Sequence, residues 1–216
     1  MNKQLTKIDE LITWLETNAP EDACILLMAM ADTPAPEPTE GKTAERQVEI
    51  KTFIEGYDED ISAMLVAKMI AIPLLRQVFA EALAEQHVTI DAEGLLKWRE
   101  KNKYDLKFDL VELPAEDEPS LEGEPAEYIR KIQEFCVWMN AKPSRNLSLL
   151  VLAQDELNSG KTTFAMGFAP DLAILIAKEM TENYGFRTVV ESALYTLETR
   201  AGYPEFLAWK ESLKKK

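Results

Sequence analysis

The feature that most constrains this chain is an internal repeat. Residues 52–103 and 163–214 align without a gap at a constant spacing of 111, and 13 of the 52 positions are identical. Chance pairing would give about one identity in twenty, so the match signals two copies of one supersecondary unit. The identities include rare or conformationally special residues: Gly56/Gly167, Arg76/Arg187, Trp98/Trp209. Thr52-Phe53 and Thr163-Phe164 open the matched segments, and Asp60/Asp171, Met69/Met180 and Glu100/Glu211 continue them. The front of each unit matches at a larger spacing. Leu5, Ile8, Leu11, Ile12, Trp14 and Leu15 correspond to Ile129, Ile132, Phe135, Cys136, Trp138 and Met139 at 124. Pro20, Leu26, Leu27 and Asp32 correspond to Pro143, Leu149, Leu150 and Asp155 at 123. The drop to 111 places an insertion in the first copy, at residues 33–45, where alternating prolines read as a long extended loop.

Each unit reads as αββαα. Apolar residues at positions 5, 8, 11, 12 and 15 have the spacing of an amphipathic helix, and residues 126–140 repeat it. Residues 24–31 and 147–153 are apolar at successive positions, as in strands covered on both faces. Second strands follow at 47–55 and 161–166. The turn residues of DELNSG at 155–160 make the later pair an antiparallel hairpin. Gly56 and Gly167 then lead into helices with the stripes Ile61, Met64, Leu65, Met69 and Leu172, Leu175, Ile176, Met180. Pro73 stops the first of these, and Tyr184-Gly185 the second. Another helix follows in each unit, then a short one carrying Trp98 or Trp209. The expected class is α+β, a tandem duplication with a pseudo-twofold arrangement. The expected organisation is unit one at 1–103, an extra strand at 104–111, an acidic proline-rich linker at 112–126 and unit two at 127–216. Residues 104–111 alternate apolar and polar, so they add a strand to the edge of the first hairpin or, across the pseudo-twofold, to the second.

Several function classes recede. The formal net charge is −14, and counterion release rewards basic chains on nucleic acid, so direct nucleic-acid binding is not expected. Such a charge suits a basic protein partner, or simply solubility. No apolar run reaches the roughly 20 residues of a membrane helix, and residues 1–10 lack the pattern of a signal peptide. The default location is cytoplasmic, in the host if a phage encodes the chain. Cys24 and Cys136 lie in apolar segments and read as buried free thiols.

Chemistry is sparse. His87 is the single histidine and reads as a surface residue near a helix end. Ser159-Gly160-Lys161-Thr162 and Gly41-Lys42-Thr43 share the end of a phosphate-binding loop. Its first glycine is replaced by Asp155 and Pro36, and a strand follows rather than a helix. Asp32/Asp155 read as turn residues after strands, Asp60/Asp171 as first-turn helix residues, Glu100/Glu211 as solvent-facing. Trp14, Trp98, Trp138 and Trp209 sit beside apolar stripes, as core packing or as an aromatic patch for a partner. The expectation is therefore no catalytic, cofactor-binding or metal-binding residue and no cofactor.

The segments LLVLAQD at 149–155, TTFAMGF at 162–168 and DLAILIAKEM at 171–180 resemble small uncharacterised proteins of bacteria and their phages. Those share a hairpin, a glycine and a helix opening with Asp-Leu. The resemblance implies an accessory setting in a phage or mobile element and transfers no functional residue. The leading expectation is a non-enzymatic binding protein, an accessory or inhibitor protein. The alternatives are a structural or assembly component and, third, an enzyme. The oligomeric state is not read from the sequence.

Overall fold

The computed structural model describes residues 3–33, 47–84, 107–112, 126–142, 144, 146–155 and 160–199. The expectations for residues 85–106, including His87 and Trp98, lie outside the described residues. So do those for 34–46, 113–125 and 200–216, including Trp209 and Glu211. The described elements follow the order α1 (Lys3–Asn18), β1 (Cys24–Thr33), β2 (Gln47–Glu55), α2 (Asp58–Ala71), α3 (Pro73–Ala84), β3 (Lys107–Glu112), α4 (Glu127–Asn140), β4 (Leu147–Gln154), β5 (Lys161–Phe168), α5 (Ala169–Glu182) and α6 (Tyr184–Thr199).

The chain is α+β. One antiparallel sheet has the strand order β2-β1-β4-β5-β3. The neighbouring interior strands β1 and β4 come from different halves of the chain. They are apolar at successive positions because both faces are covered. Cys24, Leu26, Met28, Met30, Leu150 and Leu152 face α2, α3, α5 and α6. Ala23, Ile25, Leu27, Ala29, Leu149, Val151 and Ala153 face α1 and α4. Each of the two cores thus draws on both halves. Cys24 and Cys136 are buried free thiols, as expected; the sheet stands between them, with Cys24 in one core and Cys136 in the other.

Pro73 divides α2 from α3, as expected, since its ring cannot continue a helix. The later break falls at Asn183, one residue before the expected Tyr184-Gly185. There the Asn183 side chain caps α6 by accepting the Phe186 N–H at 3.0 Å.

Two expectations are corrected. The spacing of 123 for the strands is not the one the sheet uses. Leu26 faces the four-helix side and Leu149 the two-helix side, whereas a spacing of 124 puts Leu26 and Leu150 on one side and Leu27 and Val151 on the other. A slip of one residue exchanges the faces of a strand. Asp32 does not follow its strand, because β1 runs on to Thr33 and pairs Asp32 with Val48. The expected extra strand is described over Lys107–Glu112, and of the two edges open to it, it takes that of the second hairpin. β3 lies antiparallel to β5, with Phe108 opposite Gly167 and Leu110 opposite Ala165.

Candidate functional site

Those residues singled out for chemistry that are described, Gly160, Lys161, Asp60, Asp155 and Asp171, are spent on the fold. Gly160 leads directly into β5, and its carbonyl accepts the Asp155 N–H at 2.7 Å, closing the β4–β5 hairpin. The glycine-lysine-threonine run therefore starts a strand, as expected. Asp60 and Asp171 lie in the first turns of α2 and α5. Asp171 is fully buried, and Ser148 is its partner, a residue that sequence reasoning did not single out. The Ser148 hydroxyl donates to Asp171 Oδ2 at 2.9 Å and accepts the Phe168 N–H at 3.2 Å. Gly167, with φ +98°, makes this approach feasible. A Cβ there would lie 2.5 Å from Ser148 Oγ and 2.6 Å from the Leu147 carbonyl oxygen. The cluster locks the end of β5 and the start of α5 onto β4.

Two buried groups have shifted proton affinities. Burial pushes the Cys136 thiol up, leaving it protonated and a poor nucleophile. Burial also pushes the Tyr128 hydroxyl up, helped by the carboxylates of Asp155 and Asp22. Tyr128 donates to the Gln154 carbonyl at 3.1 Å, tying α4 to the end of β4.

A surface groove with the form of a binding site lies where α1 and α4 run side by side on the two-helix face. A groove of about 390 Å³ is lined by Lys7, Glu10, Leu11 and Trp14 from α1 and by Lys131, Glu134, Phe135 and Trp138 from α4. The two sets match residue by residue at the spacing of 124. Periodicity explains the arrangement, because positions i, i+3, i+4 and i+7 share one helix face. Trp14 and Trp138 are half-buried. Each packs one side against the core beneath and turns another to the groove. Lys131 Nζ lies 5.7 Å from the centre of the Trp14 ring, and Lys142 Nζ 4.4 Å from that of Trp138, both within cation–π range. Lys7 and Glu10 form an exposed ion pair at 2.7 Å. The groove therefore offers an aromatic floor between alternating charges. The sequence marked both tryptophans, but it could not show that two helices 124 positions apart lie together.

Among the described residues no group of three His, Cys, Asp or Glu side chains is placed to hold a metal ion. No described helix is long and apolar enough to cross a membrane. No protein-family model matches the chain, and neither does any curated protein or solved structure.

Proposed function

We propose that this chain is a non-enzymatic binding protein made of two copies of an αββαα unit. The copies are related by a pseudo-twofold axis through the β1–β4 pair, and the partner sits in the groove between α1 and α4. The observation that carries the reading is the groove's composition of four residue pairs, each 124 positions apart.

The sheet register supports the duplication. Leu27 lies opposite Val151, 124 positions on, while Leu26 lies opposite Leu152 and Met28 opposite Leu150. Exchanging the halves returns the same pairs. Helix packing is reciprocal in the same way, with α2 on α6, α3 on α5, and α1 on α4. Gly56 and Gly167 both have positive φ, and a Cβ on either would strike the same matched backbone, Ala23 and Cys24 or Leu147 and Ser148.

The partner that fits is an amphipathic helix carrying basic residues. Two parallel-sided helices leave a seam that a third helix fills with its apolar stripe. Leu11, Phe135 and the two indoles receive that stripe. Glu10 and Glu134 meet its basic flank, and the net charge of −14 draws it in. The setting is that of an accessory or inhibitor protein of a phage or mobile element acting on a host protein.

A displayed library of helical peptides, selected on the full chain, tests this. Selected peptides should be basic and amphipathic and should change the tryptophan fluorescence. Trp14→Ala and Trp138→Ala should each weaken them about 30-fold, the scale of an interface hot spot. Glu10→Lys with Glu134→Lys should weaken them without touching the core. Undiminished binding to folded forms of these variants would refute the site.

A further inference from the structure

The two edges of the sheet differ. The outer edge of β5 is covered by β3. The outer edge of β2, the matched strand of the first half, pairs with no strand among the described residues. An uncovered edge presents a row of backbone donors and acceptors that another strand can satisfy. β2 is nine residues long, and its side chains alternate. Val48, Ile50 and Ile54 pack against the four-helix core. Glu49, Lys51 and Phe53 lie on the other face, where Lys51 Nζ is 2.9 Å from Asp9 Oδ1 and 3.2 Å from Glu49 Oε1. These two carboxylates raise the Lys51 proton affinity, hydrogen bonding to Asp9 most.

Lysine on an edge strand normally repels a second copy. Here the adjacent glutamate reverses that in one register. In a twofold antiparallel pair that keeps each helix layer on its own side, even positions oppose even and odd oppose odd. Centring on Glu49 or Lys51 puts like charges face to face, and centring on Thr52 opposes Glu49 to Glu55. Centring on Phe53 pairs only residues 51–55. Centring on Ile50 sets Glu49 opposite Lys51 twice, Ile50 against Ile50 and Val48 against Thr52. Apolar residues then meet on the core face, and opposite charges meet on the other.

We propose that β2 pairs antiparallel with β2 of a second copy of this chain, centred on Ile50, to give a dimer with one continuous ten-stranded sheet. The geometry repeats the one already present inside the chain, where β1 and β4 pair about Leu27 and Val151 with both helix layers kept in place.

Light scattering or sedimentation of the full chain across micromolar to millimolar concentration tests the pairing. The wild type should dimerise. Glu49→Lys alone and Lys51→Glu alone each set like charges across the strands and should weaken the dimer about tenfold. The double variant Glu49→Lys/Lys51→Glu should restore it, which loss of the Lys51–Asp9 bond within one chain would not do. Mild oxidation of Ile50→Cys should give a covalent dimer, and oxidation of Thr52→Cys should not. A monomeric wild type, or a dimer that the single swaps leave intact or the double swap does not rescue, would overturn the proposal. Trp14→Ala should leave the dimer unchanged, which separates this edge from the groove.

Discussion

Gly56 follows the end of β2 and leads into α2 beside Cys24; Gly167, the penultimate residue of β5, leads into α5 beside Ser148. Both glycines have positive φ, and both press on the backbone of the neighbouring strand. The side chains around them differ. Cys24 Sγ lies 3.7 Å from Met64 Sδ, a soft and weakly polar contact, while Ser148 hydrogen-bonds the fully buried Asp171. Asp60, at the position matching Asp171, is only partly buried. The steric requirement at the turn is thus common to both halves. The second half adds a buried polar lock that the first replaces with sulfur packing, and a buried polar lock is costly to break. The edges diverge too, since among the described residues β5 has a covering strand and β2 does not.

The largest expected effects fall on the glycines. Gly167→Ala should cost on the order of 3 kcal/mol, from the positive φ and from backbone that cannot move aside. Gly56→Ala should cost somewhat less, because its nearest backbone atom is 2.7 Å away rather than having several atoms within 2.6 Å. Urea denaturation of both variants compares them, and a Gly167→Ala protein as stable as wild type would break the comparison.

Next come the side chains. Ser148→Ala removes one hydrogen bond from Asp171 and one from the Phe168 N–H and should cost about 2 kcal/mol. Cys24→Ala should cost about 1 kcal/mol, for a small cavity alone. Asp171→Ala should cost several times as much as Asp60→Ala, whose helix-dipole contribution is about 0.5 kcal/mol. Equal costs in either pair would show that the buried lock contributes nothing special.

Tyr128 distinguishes the halves by pH. Its matched position in the first half holds Gln4, which donates to the Lys142 carbonyl at 3.1 Å and does not titrate. Burial raises the Tyr128 pKa above its unfolded value of about 10. The unfolded chain therefore loses this proton first as pH rises. The stability the hydroxyl contributes is fully present below about pH 10 and is lost as pH climbs from there toward the folded value. Tyr128→Phe should cost about 1 kcal/mol at neutral pH and flatten the alkaline loss. The same alkaline slope in wild type and variant would contradict this. The smallest effect expected is in thiol reactivity. Cys24 and Cys136 should both resist alkylation in the native protein and label together on unfolding, and rapid native labelling of either would contradict their burial.

Much of this fold is legible in the sequence because its signals are local. The 3.6-residue stripes place α1, α2 and α4, proline breaks α2 from α3, and the turn residues of 155–160 join β4 to β5. What stays hidden depends on long-range pairing. β1 and β4 are apolar on both faces, so no alternation marks their register, and a spacing of 123 reads as well as 124 until the two cores separate Leu149 from Leu26. The alternation in residues 104–111 calls for a strand but does not choose between two similar edges. The groove is hidden for the same reason: Trp14 and Trp138 are marked as stripe neighbours, and only the pairing of β1 with β4 brings their helices together. Ser148 carries no local signal, since a serine in an apolar strand shows its purpose only when Asp171 arrives from another element.

The central claim is that the halves meet through β1 and β4 in one register, with Leu27 opposite Val151. Cross-strand backbone NOEs in the labelled full chain read it directly. The predicted set links Leu26 with Leu152, Leu27 with Val151 and Met28 with Leu150. A pattern shifted by one residue, or two separate hairpins with no NOE between β1 and β4, would contradict the shared sheet, the paired groove and the pseudo-twofold together.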